Sequence, residues 1–397
     1  MAEKPKKPET LLTTLGRDPH RYSGVVNTPV FHASTILAES LEEYESRPRR
    51  RFDKAEPIYG LLGTPTTFAL EEAICELEGG ERAVALPSGL AAVTLCFIAN
   101  ASAGGHVLVS DHVYLPSRKF CTDVLSRMGV EVTFYDPMIG GEIEQLIRRN
   151  TQLVFAESPG SGTFEVQDVP AIAAAAHAKG VPLALDNSWA TPLFFRGLEH
   201  GADIVVHAAT KYLSGHADVM MGLVVANAEM GRRLVQTSSL LGFHAAPDDC
   251  YLTLRGMRSL APRLRQHEAT GLRLATWLED RAEVARVLHP ALPSCPGHDI
   301  WKRDFQGAGS LFSFVLDRPY SKQAIAAMLE GYELFGIGSS WGAYQSLMIP
   351  FYPEKIWTAT SWDAPGLILR VFAGLEHPDD LIADLDAGFE RLRTADD

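Results

Sequence analysis

The stretch Asp203-Ile204-Val205-Val206-His207-Ala208-Ala209-Thr210-Lys211-Tyr212 decides how this sequence folds. Its β-branched run at 204–206 predicts a buried strand, and the loop of small and polar residues that follows presents Lys211. A lysine at a strand end suits Schiff-base chemistry, because its stem is long and its pKa falls when the ammonium is desolvated. Most lysines are solvated surface charges, so the assignment depends on what surrounds this one.

An apolar segment upstream, Val181-Pro182-Leu183-Ala184-Leu185-Asp186-Asn187, predicts a second strand that ends in a carboxylate. An aspartate facing a pyridinium nitrogen, together with a Schiff-base lysine, is the pair of groups that pyridoxal phosphate (PLP) requires. Asp186 and Lys211 therefore indicate a PLP site at the ends of two strands.

Short β-rich runs alternate with helical patterns over residues 64–226. The runs fall at 83–86, 106–110, 130–135, 153–156, 183–185, 204–206 and 223–226. Helical patterns lie between most of them, at 66–78, 90–99, 117–128, 143–149 and 169–178. This alternation predicts an α/β domain whose mostly parallel seven-stranded sheet is covered by helices on both faces.

The rest of the chain has a different pattern. Residues 1–58 are irregular and contain Arg and Pro, which fits either a loose tail or an arm that orders against a partner. Helical periodicity dominates 228–280, and the C-terminal part mixes helices at 322–331 and 378–393 with strands at 311–316 and 367–372. Because 397 residues exceed one usual core, we expect three parts. They are an arm at 1–60, an α/β domain at 61–258 and a smaller α+β domain at 259–397.

Composition argues against several classes of function. The net charge of −13 and the lack of a basic stripe argue against nucleic-acid binding. No apolar run reaches membrane-spanning length, so we expect neither a membrane span nor a signal peptide. Five cysteines lack CxxC spacing and 13 histidines lack HExxH spacing, so we expect no metal site. Scattered cysteines are typical of reduced thiols, which places the protein in the cytoplasm.

Polar residues follow five of the predicted strands at their carboxyl ends. They are Ser88-Gly89, Tyr114, Glu157-Ser158, Asp186-Asn187 and Thr210-Lys211. Ligands of open α/β sheets bind beyond the carboxyl ends of the strands, so these residues predict one site. Gly89 opens a helix whose unpaired N–H groups can seat a phosphate, although Ser88 is also an ordinary N-cap residue.

The segments around Asp186 and Lys211 resemble a known family. Asp186-Asn187-Ser188-Trp189-Ala190-Thr191 and Ala209-Thr210-Lys211-Tyr212-Leu213 are similar to the cysteine/methionine-metabolism family of PLP enzymes. Further matching blocks are Glu76-Leu77-Glu78-Gly79-Gly80, Phe155-Ala156-Glu157-Ser158-Pro159-Gly160, Val287-Leu288-His289-Pro290-Ala291-Leu292-Pro293, Trp301-Lys302-Arg303-Asp304-Phe305 and Gly374-Leu375-Glu376. The resemblance extends from about Tyr59 to the C-terminus and implies the fold-type-I PLP transferase-like architecture.

The resemblance implies a role for each residue around PLP. Lys211 would carry the cofactor and act as the catalytic base. Tyr114 would stack on the ring and assist catalysis, although a tyrosine at a strand end more often packs. Asp186 would keep the ring nitrogen protonated, although it could also cap a helix. The remaining cofactor contacts would come from Gly89, Leu90, Asn187 and Thr210.

A second group of residues would bind a small amino-acid substrate. Arg370 is a charge within the apolar run 367–372, and its planar guanidinium suits an α-carboxylate, although a strand arginine can also be a surface residue. By resemblance, Ser340 and Trp341 line the same pocket, and Tyr59 reaches the substrate and takes part in catalysis across a subunit interface. The N-terminal arm would then contact a neighbouring subunit in a homo-oligomer, a dimer of dimers.

The chain departs from the family pattern in two regions. An arginine that binds the cofactor phosphate across the interface is missing from Tyr59-Gly60-Leu61-Leu62-Gly63, and Ala208 replaces a small hydroxyl residue. Lys119 stands where relatives carry an acid near the distal end of the substrate. These departures predict a changed phosphate site and a changed distal pocket.

The resemblance implies β-elimination of L-cystathionine to homocysteine, pyruvate and ammonia in methionine biosynthesis. The cofactor residues do not separate this reaction from γ-elimination of cystathionine or methionine, γ-synthesis of cystathionine, or sulfhydrylation of O-acetylhomoserine. A catalytically silent PLP-binding regulatory protein is a further alternative, which intact Lys211, Asp186 and Arg370 oppose. No GxGxxG follows the first predicted strand, which argues against a nicotinamide-dependent dehydrogenase.

Overall fold

The computed structural model describes residues 6–50 and 56–396. Residues 1–5, 51–55 and 397, which include parts of the predicted arm and the end of the predicted smaller domain, lie outside the described residues. Within the described ranges the strands are β1 (Arg82–Leu86), β2 (His106–Ser110), β3 (Glu131–Tyr135), β4 (Thr151–Glu157), β5 (Leu183–Asp186), β6 (Ile204–His207), β7 (Gly222–Ala226), β8 (Val284–Leu288), β9 (Leu311–Leu316), β10 (Leu347–Phe351) and β11 (Ile368–Phe372). The α-helices are α1 (Pro8–Thr14), α2 (Leu41–Arg50), α3 (Pro65–Glu78), α4 (Gly89–Asn100), α5 (Leu115–Phe120), α6 (Val169–His177), α7 (Thr191–Phe194), α8 (Ala228–Leu241), α9 (Pro247–Met257), α10 (Leu260–Glu279), α11 (His298–Asp304), α12 (Lys322–Glu330) and α13 (Pro378–Asp396).

The larger sheet has seven strands in the order β1-β7-β6-β5-β4-β2-β3. Strand β7 runs antiparallel to both of its neighbours, whereas the pairs from β6 to β3 are parallel. The carboxyl ends of β1, β2, β4, β5 and β6 therefore lie on one edge of the sheet. The predicted mostly parallel seven-stranded sheet is confirmed.

Apolar side chains cover both faces of this sheet, because successive residues of a strand point to opposite faces. Leu183, Leu185 and Val205 pack with α3 and α6 in one core. Ala184 and Ile204 pack with α4 and α8 in another. Every residue of β5, β6 and β7 is buried, as expected for central strands of a sheet covered twice.

The smaller sheet has four antiparallel strands in the order β10-β11-β9-β8. Leu274 of α10, Met328 of α12 and Phe389 of α13 pack on it. The sequence pattern does not predict β8 or β10. Both are edge strands, and Pro350 removes a backbone donor from β10, which weakens a strand signal. The predicted domain boundary at 258/259 falls between α9 and α10.

The single helix predicted at 117–128 is interrupted in the structure. Helix α5 ends at Phe120, and the chain continues as a π-helical turn over Cys121–Leu125 and a 3-10 turn over Ser126–Met128. The Ser126 hydroxyl donates to the Cys121 carbonyl oxygen at 2.9 Å, and side-chain bonds of this kind compete with regular helix bonds. No helix within 6–50 or 56–396 is long and apolar enough to cross a bilayer.

Candidate active site

A cavity of about 310 Å³ lies at the carboxyl edge of the larger sheet, where the C-terminal part of the chain packs against it. Most of the residues predicted for the site line it, namely Gly89, Leu90, Tyr114, Asp186, Thr210, Lys211, Ser340, Trp341 and Arg370. The fold thus brings residues from both sheets to one place. Tyr59, Asn187 and Lys119 are not among the residues that line it.

Lys211 reaches the cavity from the loop after β6. Its Nζ donates to the Ser340 hydroxyl at 2.8 Å and lies 5.3 Å from the centre of the Trp341 ring. Burial, helped by the charge of Arg370 and opposed by Asp186, lowers the pKa of Lys211 to about 8. A lysine that loses its proton near neutral pH can serve as a nucleophile toward an aldehyde and as a base.

Asp186 ends β5 and is buried at the cavity wall. Its carboxylate accepts the Ser188 N–H at 3.0 Å and the Ser188 hydroxyl at 2.6 Å. Ser188 in turn accepts the Ala208 N–H at 2.7 Å, so the loops after β5 and β6 are joined. Burial raises the pKa of Asp186, and the Ser188 hydrogen bonds and the charges of His207 and Lys211 oppose that rise. A carboxylate held in this way suits the ring nitrogen of PLP.

Glu157 ends β4 and stands in register with Asp186 on the next strand. Its carboxyl group accepts the Tyr114 N–H at 2.7 Å and the Ser161 hydroxyl at 2.5 Å. Burial, followed by the charge of Asp186, raises the pKa of Glu157 to about 8. The sequence pattern predicts Glu157 at a strand end but indicates no role for it. A carboxylate directly after the apolar run 153–156 is the sequence feature that could have indicated a role in the site.

The start of α4 forms another side of the cavity. Ser88 caps the helix, since its hydroxyl accepts the Ala91 N–H at 3.0 Å. The N–H groups of Gly89 and Leu90 have no acceptor in the described part of the chain, so both are available to an anion. Ala208 lies against this turn, because a Cβ added to Gly89 would be 2.8 Å from the Ala208 Cβ.

Thr210 has a more limited capacity for a phosphate. Its hydroxyl donates to the Met221 carbonyl oxygen at 3.2 Å and accepts the Met221 N–H at 2.9 Å. To donate to a phosphate oxygen, it would have to turn away from that carbonyl. Even so, a partly buried lysine, a buried carboxylate and free helix N–H groups surround one cavity. They fit the aldehyde, ring nitrogen and phosphate of PLP.

Arg370 enters the cavity from β11. Its Nη2 donates to the Ser340 carbonyl oxygen at 3.4 Å, so Ser340 contacts both Arg370 and Lys211. Burial lowers the pKa of Arg370 to about 10, with Tyr114 opposing that change, and the guanidinium stays charged at neutral pH. No carboxylate pairs with Arg370 within the described ranges. It is therefore available to a substrate carboxylate.

Asn187 belongs to a buried polar cluster behind the cavity. Its Nδ2 donates to the Glu78 carboxylate at 3.0 Å, and His207 Nε2 lies 2.8 Å from the same oxygen. His207 thus belongs to this buried hydrogen-bonded cluster. Among the described residues, no group of three or more His, Cys, Asp or Glu side chains could hold a metal.

Lys119 and Tyr59 lie on the surface. Lys119 is exposed on α5, and its ammonium has no hydrogen-bond or ion-pair partner in the part of the chain that the structure describes. Tyr59 is 48% exposed and forms an isolated bridge with Thr35 of the N-terminal segment. Neither contributes to the cavity of its own chain.

Several known proteins are similar to this chain. The profile of the family described as "Cys/Met metabolism PLP-dependent enzyme" matches residues 9–390. "Cystathionine beta-lyase MetC" of Escherichia coli (strain K12) is 44% identical over 393 residues, which cover 98% of this chain and 99% of that protein. "L-alanine/L-glutamate racemase" of Wolbachia pipientis wMel is 39% identical over 400 residues, 97% of this chain and 98% of that protein. The structure of cystathionine gamma synthase from Xanthomonas oryzae pv. oryzae, in complex with aminoacrylate and cysteine, matches with a TM-score of 0.89 and 29% identity, covering 99% of this chain and 100% of that chain.

Proposed function

Because the chain belongs to the Cys/Met metabolism family of PLP-dependent enzymes, we propose that it cleaves L-cystathionine by β-elimination to homocysteine, pyruvate and ammonia. PLP is its cofactor. The observation that carries the proposal is the placement of Lys211 and Arg370 around Ser340 in one cavity. In this arrangement Lys211 would serve as the base and Arg370 as the carboxylate-binding cation for one bound amino acid.

The chain's own residues would divide the work of the reaction. PLP, when bound, would supply an electron-accepting ring that stabilises the substrate's α-carbon once its proton is removed. Lys211 Nζ would accept that proton, since its pKa of about 8 leaves part of the amine neutral at pH 7. The same Nζ would deliver a proton to the departing sulfur. Arg370 would hold the α-carboxylate and so direct the Cα–H bond toward Lys211.

Relatives favour this reaction over the alternatives. The Escherichia coli protein named a cystathionine beta-lyase is 44% identical, whereas the γ-synthase structure matches at 29%. The racemase, at 39% identity, identifies a second reaction that also begins with removal of a Cα proton. A test of the proposal therefore has to separate β-elimination from both γ-chemistry and racemisation.

Product analysis of the purified holoenzyme tests the proposal. L-Cystathionine should give pyruvate and homocysteine, whereas γ-elimination would give 2-oxobutyrate and cysteine. L-Methionine, L-cysteine, O-acetylhomoserine and L-alanine, the last followed by chiral analysis, serve as competing substrates. Lys211→Ala is the inactive control. Cleavage mainly to 2-oxobutyrate, or D-alanine formation without cleavage of cystathionine, would contradict the proposal.

We also propose that a second copy of the chain completes each site. Two features support it: Tyr59 is half exposed away from its own cavity, and the N-terminal segment exposes Leu37, Leu41 and Tyr44. Co-expressed Tyr59→Ala and Lys211→Ala chains should then regain about a quarter of wild-type activity, through hybrids with one intact site. Tyr114→Ala with Lys211→Ala is the matched control, because both residues line the same chain's cavity. Equal recovery in both mixtures, or none in either, would count against shared sites.

The cysteines support a reducing compartment. Cys75, Cys96, Cys121, Cys250 and Cys295 are all free thiols in the structure. Disulfides are rare where glutathione and thioredoxin keep thiols reduced, so we propose that the protein works in the cytoplasm. Fractionation of the native host with an antibody to the chain tests this placement.

A further inference from the structure

The buried carboxylate of Asp111 links the loop after β2 to a loop in the C-terminal part of the chain. Asp111 follows β2 and is fully buried, and Arg118 Nη1 donates to its Oδ1 at 2.7 Å. Three successive backbone N–H groups, those of Thr358, Ala359 and Thr360, donate to the same carboxylate at 3.1, 2.9 and 2.9 Å. The Thr360 hydroxyl adds a further bond at 3.0 Å. The Asp111 carboxylate thus holds the loop at 358–360 through hydrogen bonds to its backbone.

The chemistry of this contact requires an ionised group. Burial raises the pKa of Asp111, but Arg118 and the 358–360 N–H groups outweigh it and hold that pKa below its usual value. Hydrogen bonds to an ionised acceptor are about twice as strong as neutral ones. The substitution Asp111→Asn would also replace one carboxylate oxygen by an NH₂ group. That group is a donor facing other donors, so buried N–H groups would lose their acceptor.

Asp111 and segment 358–360 are each connected along the chain to a residue of the cavity. Asp111 precedes Tyr114 by three positions, and segment 358–360 connects β10 to β11, the strand that carries Arg370. A second contact with the larger domain is made by β9, the strand that pairs with β11. Ser313 of β9, the register partner of Arg370, donates to the carbonyl oxygen of Gly162, a cavity residue, at 2.7 Å. Segment 358–360, which precedes β11, and β9, which pairs with β11, therefore both contact the larger domain.

We infer that Asp111 is a positioning residue that sets the distance between Arg370 and the Tyr114 side of the cavity by holding segment 358–360. It touches neither substrate nor cofactor and acts through Arg370. The inference rests on the proposed role of Arg370 as the binding site of the substrate carboxylate. It predicts that damage at Asp111 weakens the recognition of a carboxylate specifically, and leaves the recognition of an amine unchanged.

The test compares two ligands on the PLP-loaded enzyme, glycine and methylamine, which differ by the carboxylate and carry no leaving group. Binding is followed by the change in cofactor absorbance, so turnover of cystathionine is not needed. Asp111→Asn should raise the Kd of glycine by about tenfold, the scale of coupling between groups that share partners, and leave that of methylamine unchanged. Asp384→Asn is the matched control, because Asp384 accepts the N–H groups of Glu333 and Leu334 away from the cavity.

A double variant decides whether Asp111 acts through Arg370. Asp111→Asn should have little further effect on glycine binding once Arg370→Ala is present, so the two effects should not add. Arg118→Gln, which keeps the three backbone bonds, should cause a smaller loss and guards against a folding failure of Asp111→Asn. Equal weakening of both ligands, or full additivity with Arg370→Ala, would overturn the inference while leaving the proposed function intact. If Arg370→Ala changes the Kd of both ligands equally, the proposed role of Arg370 and the inference are both wrong.

Discussion

Glu157 and Asp186 stand side by side at the ends of the parallel strands β4 and β5, and both carboxyl groups face the same cavity. Burial is the largest cause of the raised pKa of each, and the charge of Asp186 raises that of Glu157 further. Two neighbouring carboxyl groups in one buried site titrate as a pair. Burial and the charge of Asp186 raise the pKa of Glu157 to about 8, so the pair favours holding a proton at neutral pH.

The first prediction concerns the pH dependence of stability. A carboxyl group whose pKa rises on folding, here from 4.5 to about 8, stabilises the fold fully below its unfolded pKa. That contribution is lost as the pH rises toward 8. The melting temperature of the apoenzyme should therefore fall between pH 6 and pH 8 less steeply in Glu157→Gln than in the native chain. Differential scanning calorimetry measures this, with the exposed Glu142→Gln as control, and parallel curves would refute the assignment.

The second prediction concerns Lys211. Lys211→Ala should abolish turnover, at least about a thousandfold, because the attachment point of PLP and the base are lost together, while circular dichroism stays native. Borohydride reduction of the native holoenzyme and peptide mapping should find the pyridoxyl group on Lys211. Because its pKa is lowered to about 8, PLP uptake by the apoenzyme should speed up from pH 7 to pH 9. Label on another lysine would refute the assignment.

The third prediction concerns the carboxylate site. Arg370→Lys should raise KM and slow turnover, because a point charge cannot replace the two-pronged guanidinium. Bound PLP, measured by absorbance, should remain at its native level, since Arg370 serves the substrate. Loss of cofactor from the purified variant would show that Arg370 has another primary role.

The fourth prediction concerns the missing phosphate arginine. Leu61→Arg should slow PLP loss during dialysis by about one to two decades, provided the side chain reaches a neighbouring subunit's phosphate, since a hydrogen bond to a charged group contributes roughly 1.5–3 kcal/mol. Leu62→Arg, one position along the same turn, is the matched control. Equal retention by both variants would mean that added positive charge, and not a specific contact, is responsible.

The fifth prediction concerns Lys119. Because its ammonium is exposed and has no partner within the described residues, Lys119→Ala should leave both PLP retention and KM for cystathionine unchanged. Dialysis and steady-state kinetics measure the two quantities. Faster PLP loss would place Lys119 at the phosphate, and a raised KM would place it at the distal end of the substrate.

The sequence carries strong signals for the larger sheet and weak ones for the smaller. Strands such as β6 are continuous apolar runs because both faces are covered, and each is followed by a polar loop. Strand β10 is a half-buried edge with a proline, so no comparable pattern marks it. The family and its cofactor, inferred from the segments around Asp186 and Lys211, are confirmed.

The contacts between distant segments are what the sequence could not provide. Arg370 could be singled out as a charge in an apolar run, but its approach to Ser340 depends on how the two sheets pack. No local sequence pattern predicts the contact of Asp111, because its partners at 358–360 are distant in the sequence. Such contacts become visible only when the whole chain is folded.

Strand β7 has a consequence for how the protein is made. In the described sheet β7 pairs with both β1 and β6. It therefore holds together the strand that precedes the Gly89 turn and the strand that precedes the Lys211 loop. A nascent chain on the ribosome therefore cannot assemble both sides of the cofactor site until Ala226 has emerged. Until then, the open edge of β6 is free to pair with other unfinished chains. Chaperone contacts should thus concentrate on ribosomes stalled before residue 222, and cofactor capture should be a late event of synthesis.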